Sequence, residues 1–358
     1  MDDWRERIRS YYRGETHCHA GASRLYSSML GKTSPEGTHP LQVLAKYFQL
    51  LGMEFMAVTE HASDPGNPEV LHENSPIFKA IFRQKEVIEK MNSRSASGFR
   101  IFAGIETSIF FNTDDKPALD VPDRVLASLD YVIASRHKIK DKGRPSRIGK
   151  SLCYAASNPY VHALGHPSRH IEFYRHDWRF FKKFWPSGDR RAQYLERLEA
   201  AGDEESMRKI IGKTEASSDD LLILLDMRYE FDRLRERYWE EWEKIFRRLE
   251  ETGRVFEVNL NSFEPKGEFH LDLLTLASRF DLKYSISFDF HTLGQMSGWS
   301  AKRLTARDFG VRLPSHRELP LRKLLDLIDL FEKLEISPDR VINSSLERFR
   351  YHIKNLRP

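Results

Sequence analysis

Along about the first 170 residues, short runs of mostly apolar positions alternate with longer stretches whose apolar positions recur every three or four residues. The short runs predict strands at Gly14–His19, Glu54–Glu60, Arg100–Glu106, Tyr131–Arg136 and Val161–Leu164. The longer stretches predict helices from about Thr38 to Leu51, Ser75 to Arg94, Pro122 to Leu129 and Ile148 to Ala156. In the first of these, Thr38 suits the N-cap, Pro40 the first turn and Gly52 the end. Such alternation calls for parallel strands, because each helix carries the chain back to the edge where the next strand begins.

The pattern breaks between about Pro167 and Gly253. This stretch is dense in charge and carries Phe173, Tyr174, Trp178, Phe180, Phe181, Phe184 and Trp185. It ends in one long helical pattern from about Ser217 to Thr252, where Phe231, Leu234, Tyr238, Trp242, Ile245 and Leu249 make an apolar stripe. The stripe suits packing against the rest of the fold, or a dimer seam. Alternation then resumes: strand Arg254–Asn259, helix His270–Phe280, strand Lys283–Phe288, helix Leu319–Leu334 and a last short strand Arg340–Asn343. Seven or eight parallel strands imply a closed α/β barrel, with the helical insertion before its sixth strand.

Composition narrows this without changing it. A chain of 358 residues can bury one large core, and the expectation is a single domain over 1–358 with the insertion at about 168–252. A charged fraction of 31% and no apolar run near the roughly eighteen residues of a membrane span exclude a transmembrane helix. The start, Met1-Asp2-Asp3-Trp4-Arg5, lacks the apolar core of a signal peptide, and two cysteines make no disulfide framework, so a cytoplasmic location is expected. The net charge of +4 neither demands nor forbids a nucleic-acid partner.

The chemistry lies at the strand ends, where the βα loops of such barrels open. His17 and His19 are two apart, so on a strand their imidazoles share one face. His61, Glu106, His137, His166, and Asp289 with His291, each close a further apolar run. Neutral imidazoles and carboxylates converging at one end suit Zn²⁺, Mn²⁺ or Fe²⁺. Eight such groups exceed the shell of one ion, which implies two or three divalent ions, with Glu106 or Asp289 able to bridge. Paired metals suit phosphoester hydrolysis.

The ordered series resembles the PHP (polymerase and histidinol phosphatase) family. Thr59-Glu60-His61 is similar to its T-[DE]-H segment, and Asp130–His137 to the DYVIASVH segment of PHP domains joined to family X DNA polymerases. Asn158-Pro159-Tyr160-Val161 with Gly165-His166-Pro167 resembles NPYVD…GHP, Phe256–Asn259 resembles L-E-[IV]-N, and Ser287–His291 resembles S-x-D-x-H. The resemblance spans Gly14 to Asn343 and implies a distorted (β/α)7 barrel. It implies His17, His19, Glu106 and Asp289 on a first ion, bridging Glu106 with His137 and His166 on a second, and His61 and His291 on a third. It further implies a phosphatase or phosphoesterase whose metal-bridging water attacks a phosphomonoester of a small molecule or nucleotide, with Glu106, Asp289 and His137 as catalytic residues. The alternatives are a 3′–5′ exonuclease or phosphodiesterase on nucleic acid, and a non-catalytic binding protein on the same scaffold.

One departure stands out. Where the family usually carries a further Asp or His after the H-x-H pair, this chain reads Ala20-Gly21-Ala22-Ser23-Arg24. The third ion is then absent, weak, or completed by another group such as His39, or Arg24 supplies cationic charge and grips the substrate phosphate. Arg24 could equally be an ordinary surface residue. Arg169, three residues after His166, is a second phosphate-binding candidate. The basic loop Lys138, Lys140, Lys142, Arg144, Arg147 and Lys150 could attract an anionic substrate or merely face solvent, and Arg175, Trp178 and Arg179 could stack a base or anchor the insertion. The resemblance makes Glu257 a buried supporting group. His170, His176, His270, His316 and His352 fit no ligand pattern and are expected at the surface, and Cys18 should point away from any metal.

Overall fold

Among the described residues of the computed structural model eight strands form, and all but one are parallel: β1 (Gly14–Cys18), β2 (Phe55–His61), β3 (Arg100–Phe111), β4 (Pro117–Leu119), β5 (Tyr131–Ser135), β6 (Ala163–Gly165), β7 (Val255–Asn259) and β8 (Lys283–Ser287). The structure describes residues 4–20, 39–63, 68–137, 145–168, 205–206, 209, 238–291 and 319–356. The sheet order is β1-β2-β3-β5-β6-β7-β8, with β4 folded back antiparallel on the end of β3. Helices α1 (Trp4–Tyr11), α2 (Leu41–Leu50), α3 (Pro76–Arg94), α4 (Asp123–Leu126), α5 (Pro145–Ser157), α6 (238–252), α7 (Glu268–Ala277), α8 (Leu319–Lys333) and α9 (Leu346–Asn355) separate or flank the strands. The result is a (β/α)7 barrel, nearly closed, as the alternation predicts.

The described residues fall into two compact units. One comprises Met1–Ile139, Lys150–His170 and Lys244–Pro358 and holds the whole sheet; the other comprises Lys140–Gly149 and Ile171–Glu243. Of the insertion's apolar stripe, Tyr238 and Trp242 are buried in the second unit. Ile245 and Leu249 are buried in the first, where Phe246 of α6 meets Phe256 and Phe280 at ring distances of 5.4 and 5.8 Å. Phe231 and Leu234 lie outside the described residues.

Every residue of β2 is buried, which is what a parallel strand covered on both faces requires. Its register with β3 runs unbroken from Phe55↔Arg100 to His61↔Glu106. Alternation sends Phe55, Ala57, Thr59 and His61 to one face, so the same strand contributes to the apolar floor and to the polar top of the barrel. At the floor, Phe55, Ala57, Tyr131, Ile133, Ala163 and Val255 cluster with Ile342, Phe349 and Ile353. Phe349 of α9 is the plug, with its ring 4.6 Å from Phe55, 4.9 Å from Phe102 and 5.1 Å from Tyr131.

Three local expectations differ from what forms. Helix α2 starts at Leu41 behind Pro40, which offers no side-chain cap, and Thr38 lies outside the described residues. The end of that helix agrees: Gly52 takes φ 78°, and Met53 N–H reaches back to the Phe48 carbonyl. The expected last strand Arg340–Asn343 is instead a pair of 3₁₀ turns, Pro338–Arg340 and Ile342–Ser344, joined to β8 by the single bridge Tyr284↔Val341. The side chain of Asn343 does what a strand would have done there. Its Nδ2 donates to the Gly14 and Ile286 carbonyls at 2.7 Å, and its Oδ1 accepts from Ile286 N at 3.0 Å. Finally, His352 on α9 is not a surface residue; its Nε2 is buried, and burial beside Arg254 and Lys283 lowers its pKa to about 3. No helix among the described residues is long and apolar enough to cross a membrane.

Candidate metal centre

The top of the barrel is built by strand ends and one irregularity. Between β1 and β2 the register shifts from Glu15↔Met56 to Cys18↔Val58, so Thr16 and His17 together face Ala57. From this bulge onward, His17 and His19 both reach the centre, and Cys18 belongs to no metal-capable group among the described residues. Glu106 sits beside His61 across the β2–β3 ladder and beside Ile133 across β3–β5. His137 follows β5 and His166 follows β6. Gly165 is dictated by a close approach, since a Cβ there would collide with Ser135 Oγ and Ile133 Cγ2. His166 and Asp289 adopt φ 26° and 48°, so two of the four non-glycine residues with positive φ among those described are at this centre.

Glu106 is the hub. Its Oε2 lies 3.1 Å from His17 Nε2, 3.4 Å from His19 Nε2 and 3.0 Å from His61 Nδ1. Its Oε1 lies 3.1 Å from His137 Nε2 and 2.9 Å from His166 Nε2. Asp289 Oδ1 lies 3.5 Å from His17 Nε2, 3.3 Å from His19 Nε2 and 3.0 Å from His291 Nε2. Three sets of ligand atoms are close enough to share an ion: His17, Glu106 and His166; His17, His19 and Asp289; His19, His61 and Glu106. These sets hold six of the eight residues singled out in the sequence, and the other two, His137 and His291, adjoin them through Glu106 and Asp289. His39 is buried but joins none of these sets.

A metal ion fits this donor set. His17 Nε2, His19 Nε2 and Glu106 Oε2 are buried, lie within contact distance of one another's partners, and make no hydrogen bond of good geometry. Ring nitrogens and carboxylate oxygens aimed at a common point without bonding each other are arranged as ligands are. The charges agree. Burial by itself would raise Glu106, but His61, His17 and His137 hold its pKa well below the usual carboxylate range. Asp289 is held low against burial by His17, His19 and His291. Burial opposes protonation of His19, yet Asp289 and Glu106 raise it to about 10; His17 is raised in the same way by Glu106, Glu257 and Asp289. Burial keeps His61 and His166 low.

Around these groups lies a supporting layer. Glu257 accepts from His17 Nδ1 at 2.8 Å and from the His166 main-chain N–H at 2.5 Å, the supporting role expected of it. The hydrogen bond to Nδ1 favours the tautomer that leaves the Nε2 lone pair available to a metal ion. Ser108 Oγ lies 3.3 Å from His137 Nδ1. Asp120, raised by burial against its three donors, accepts from Ser63 Oγ, from Thr107 Oγ1 at 2.6 Å and from Ser108 N at 2.8 Å. Glu15, pushed up by burial to about 7, accepts from Tyr12, His17 and Phe288. Sequence reasoning missed Glu15, Asp120 and Asn261; of these only Glu15, two residues before His17 on a strand, carries a spacing signal. Arg24 and Arg169, the phosphate-binding candidates, lie outside the described residues, as do Lys138–Arg144 of the basic loop, Arg175, Trp178, Arg179, His170, His176 and His316.

No family model matches the chain. Over 123 residues, 34% of this chain and 42% of the relative, it is 31% identical to a probable phosphatase of Caldanaerobacter subterraneus subsp. tengcongensis. Over 156 residues, 43% of this chain and 53% of the relative, it is 30% identical to a probable phosphatase of Caldicellulosiruptor bescii. Among solved structures it is similar to the histidinol phosphate phosphatase of Lactococcus lactis subsp. lactis complexed with zinc, L-histidinol and phosphate. That likeness has a TM-score of 0.46 and 13% identity, and covers 90% of this chain and 94% of that one. The chain spans about half the length of the curated relatives it matches, and those relatives are named as probable phosphatases.

Proposed function

We propose that this chain is a PHP-type, metal-dependent phosphoesterase that hydrolyses a phosphomonoester of a small molecule or nucleotide. The observation that carries the reading is the division of labour at Glu106, whose Oε2 faces His17, His19 and His61 while Oε1 faces His137 and His166. A buried carboxylate with a different histidine set on each oxygen is suited to bridging two cations. The partial likeness to relatives named probable phosphatases supports the same chemistry.

His17, His19, Glu106 and Asp289 would hold one ion, Glu106, His137 and His166 a second, and His61 with His291 a third. Zn²⁺, Mn²⁺ and Fe²⁺ all suit this mixture of imidazole and carboxylate. When bound, such ions polarise phosphate oxygens and lower the pKa of a bound water. The chain's own part is positional. Glu257 keeps the His17 tautomer, the six rings contribute no negative charge, and only two carboxylates oppose the ions, so the loaded centre favours a phosphate dianion. Arg24 and Arg169 are proposed to bind that phosphate.

The test is metal content of the purified protein together with phosphate release from phosphomonoesters and short oligonucleotides, with Mn²⁺ or Zn²⁺ and with chelator. Two or more ions per chain and chelator-sensitive release from monoesters are expected, with Glu106→Ala losing at least a thousandfold in kcat/KM. Faster cleavage of oligonucleotides, with strong salt dependence, would select the nuclease reading instead, to which the basic loop Lys138–Lys150 lends some weight. Metal without turnover of either substrate would leave a binding protein.

A further inference from the structure

Asp289 presents its carboxylate from a backbone conformation that L-residues seldom adopt, with φ 48°. It also stands at the weakest seam of the barrel. β1 and β8 share no continuous ladder, only the bridge Cys18↔Phe290, closed by His19 N to Phe290 O at 2.9 Å and Phe290 N to His17 O at 2.8 Å. The spacing of Asp289 from His17 and His19 therefore rests on one bridge rather than on a continuous ladder.

Two side chains reinforce that bridge. Buried Glu15 accepts the His17 N–H on Oε1 at 2.8 Å and the Phe288 N–H on Oε2 at 3.1 Å, so one carboxylate spans both sides of the seam. Asn261, an exposed residue just past β7, donates from Nδ2 to the main-chain carbonyls of Phe288 and, at 3.2 Å, of Asp289, while its own N–H is held by Asn259 Oδ1 at 3.0 Å. The chemistry is matched: an acceptor for the amide hydrogen on one side of the Phe288–Asp289 segment, and a donor for the carbonyls on the other.

We propose that Glu15 and Asn261 form a clamp that presets the His17–His19–Asp289 group for its ion, both acting as positioning residues rather than ligands. The proposal rests on the metal-binding reading above. The Glu106–His137–His166 group stands on β3, β5 and β6, which are joined by continuous parallel ladders, and does not depend on the clamp.

The test is titration of metal-free wild type, Asn261→Asp, Asn261→Ala and Glu15→Gln with Zn²⁺ and Mn²⁺, reading stoichiometry and Kd by calorimetry beside circular dichroism and Tm. Asn261→Asp keeps the shape but sets an acceptor against two carbonyls, and Glu15→Gln sets an amide N–H against N–H donors. Expected is a tenfold or greater weakening of one class of site, with the other class at wild-type affinity and the secondary structure unchanged. If Glu15→Gln does not fold, the two Asn261 variants decide. Wild-type affinity at every site in the folded variants overturns the clamp and leaves the metal reading standing, as does equal weakening of all sites with a fall in Tm. A wild-type protein that takes up neither ion overturns both.

Discussion

At Glu106, burial and charge pull in opposite directions, and charge wins. A fully buried carboxylate resists ionisation, yet three imidazoles within reach keep it charged. The same balance holds with opposite sign at His19, where Asp289 and Glu106 outweigh burial and raise the pKa to about 10. Below that pH the ion-free protein holds a proton on His19, and an ion must displace it to use the ring as a ligand. Metal affinity should therefore rise with pH from 6 to 8, by up to tenfold per unit for each proton released. Chelator-competition measurements of Kd across that range check it, and a flat profile would mean the ring does not bind metal. All eight ligand candidates were legible in the sequence because each ends an apolar run. Glu15, Asp120 and Asn261 were not, because their roles are hydrogen bonds to partners from 2 to 273 residues away that no local pattern marks.

Elements shift where a side chain can replace a ladder. β3 runs on to Phe111 and folds back on β4, which places Asp120 beside Thr107 and Ser108. A hairpin of this kind lies past the strand end that the apolar run defines. The final strand gives way to 3₁₀ turns because Asn343 already satisfies the open groups of β1 and β8. Helix α9 was not anticipated at all, although Phe349 closes the floor against three aromatic rings. Phe349→Ala should cost about 3–5 kcal/mol of stability, as cavity-forming Phe deletions do. Denaturant unfolding measures that loss. Because the floor and the ligands occupy opposite ends of the same strands, the fraction that remains folded should keep its kcat.

For the molecule as a whole, the centre concentrates buried charge at one end of the barrel, and an ion held there links binding to folding. At metal concentrations a hundredfold above Kd, binding restricted to the folded state adds about 2.7 kcal/mol. Calorimetric scans should show Tm rising by several degrees with Zn²⁺ or Mn²⁺ and returning on chelation, and a Tm indifferent to both would argue against a metal site. The alternation of runs along the chain determined the barrel, and the residue closing each run determined where chemistry gathers, because strand polarity and period-two projection are local properties. Tertiary structure alone decided which oxygen of Glu106 faces which histidines, how β1 bulges to aim His17, and how β1 and β8 are joined. Those depend on groups that meet only when the sheet curls round to its first strand, across as many as 273 residues from Glu15 to Phe288.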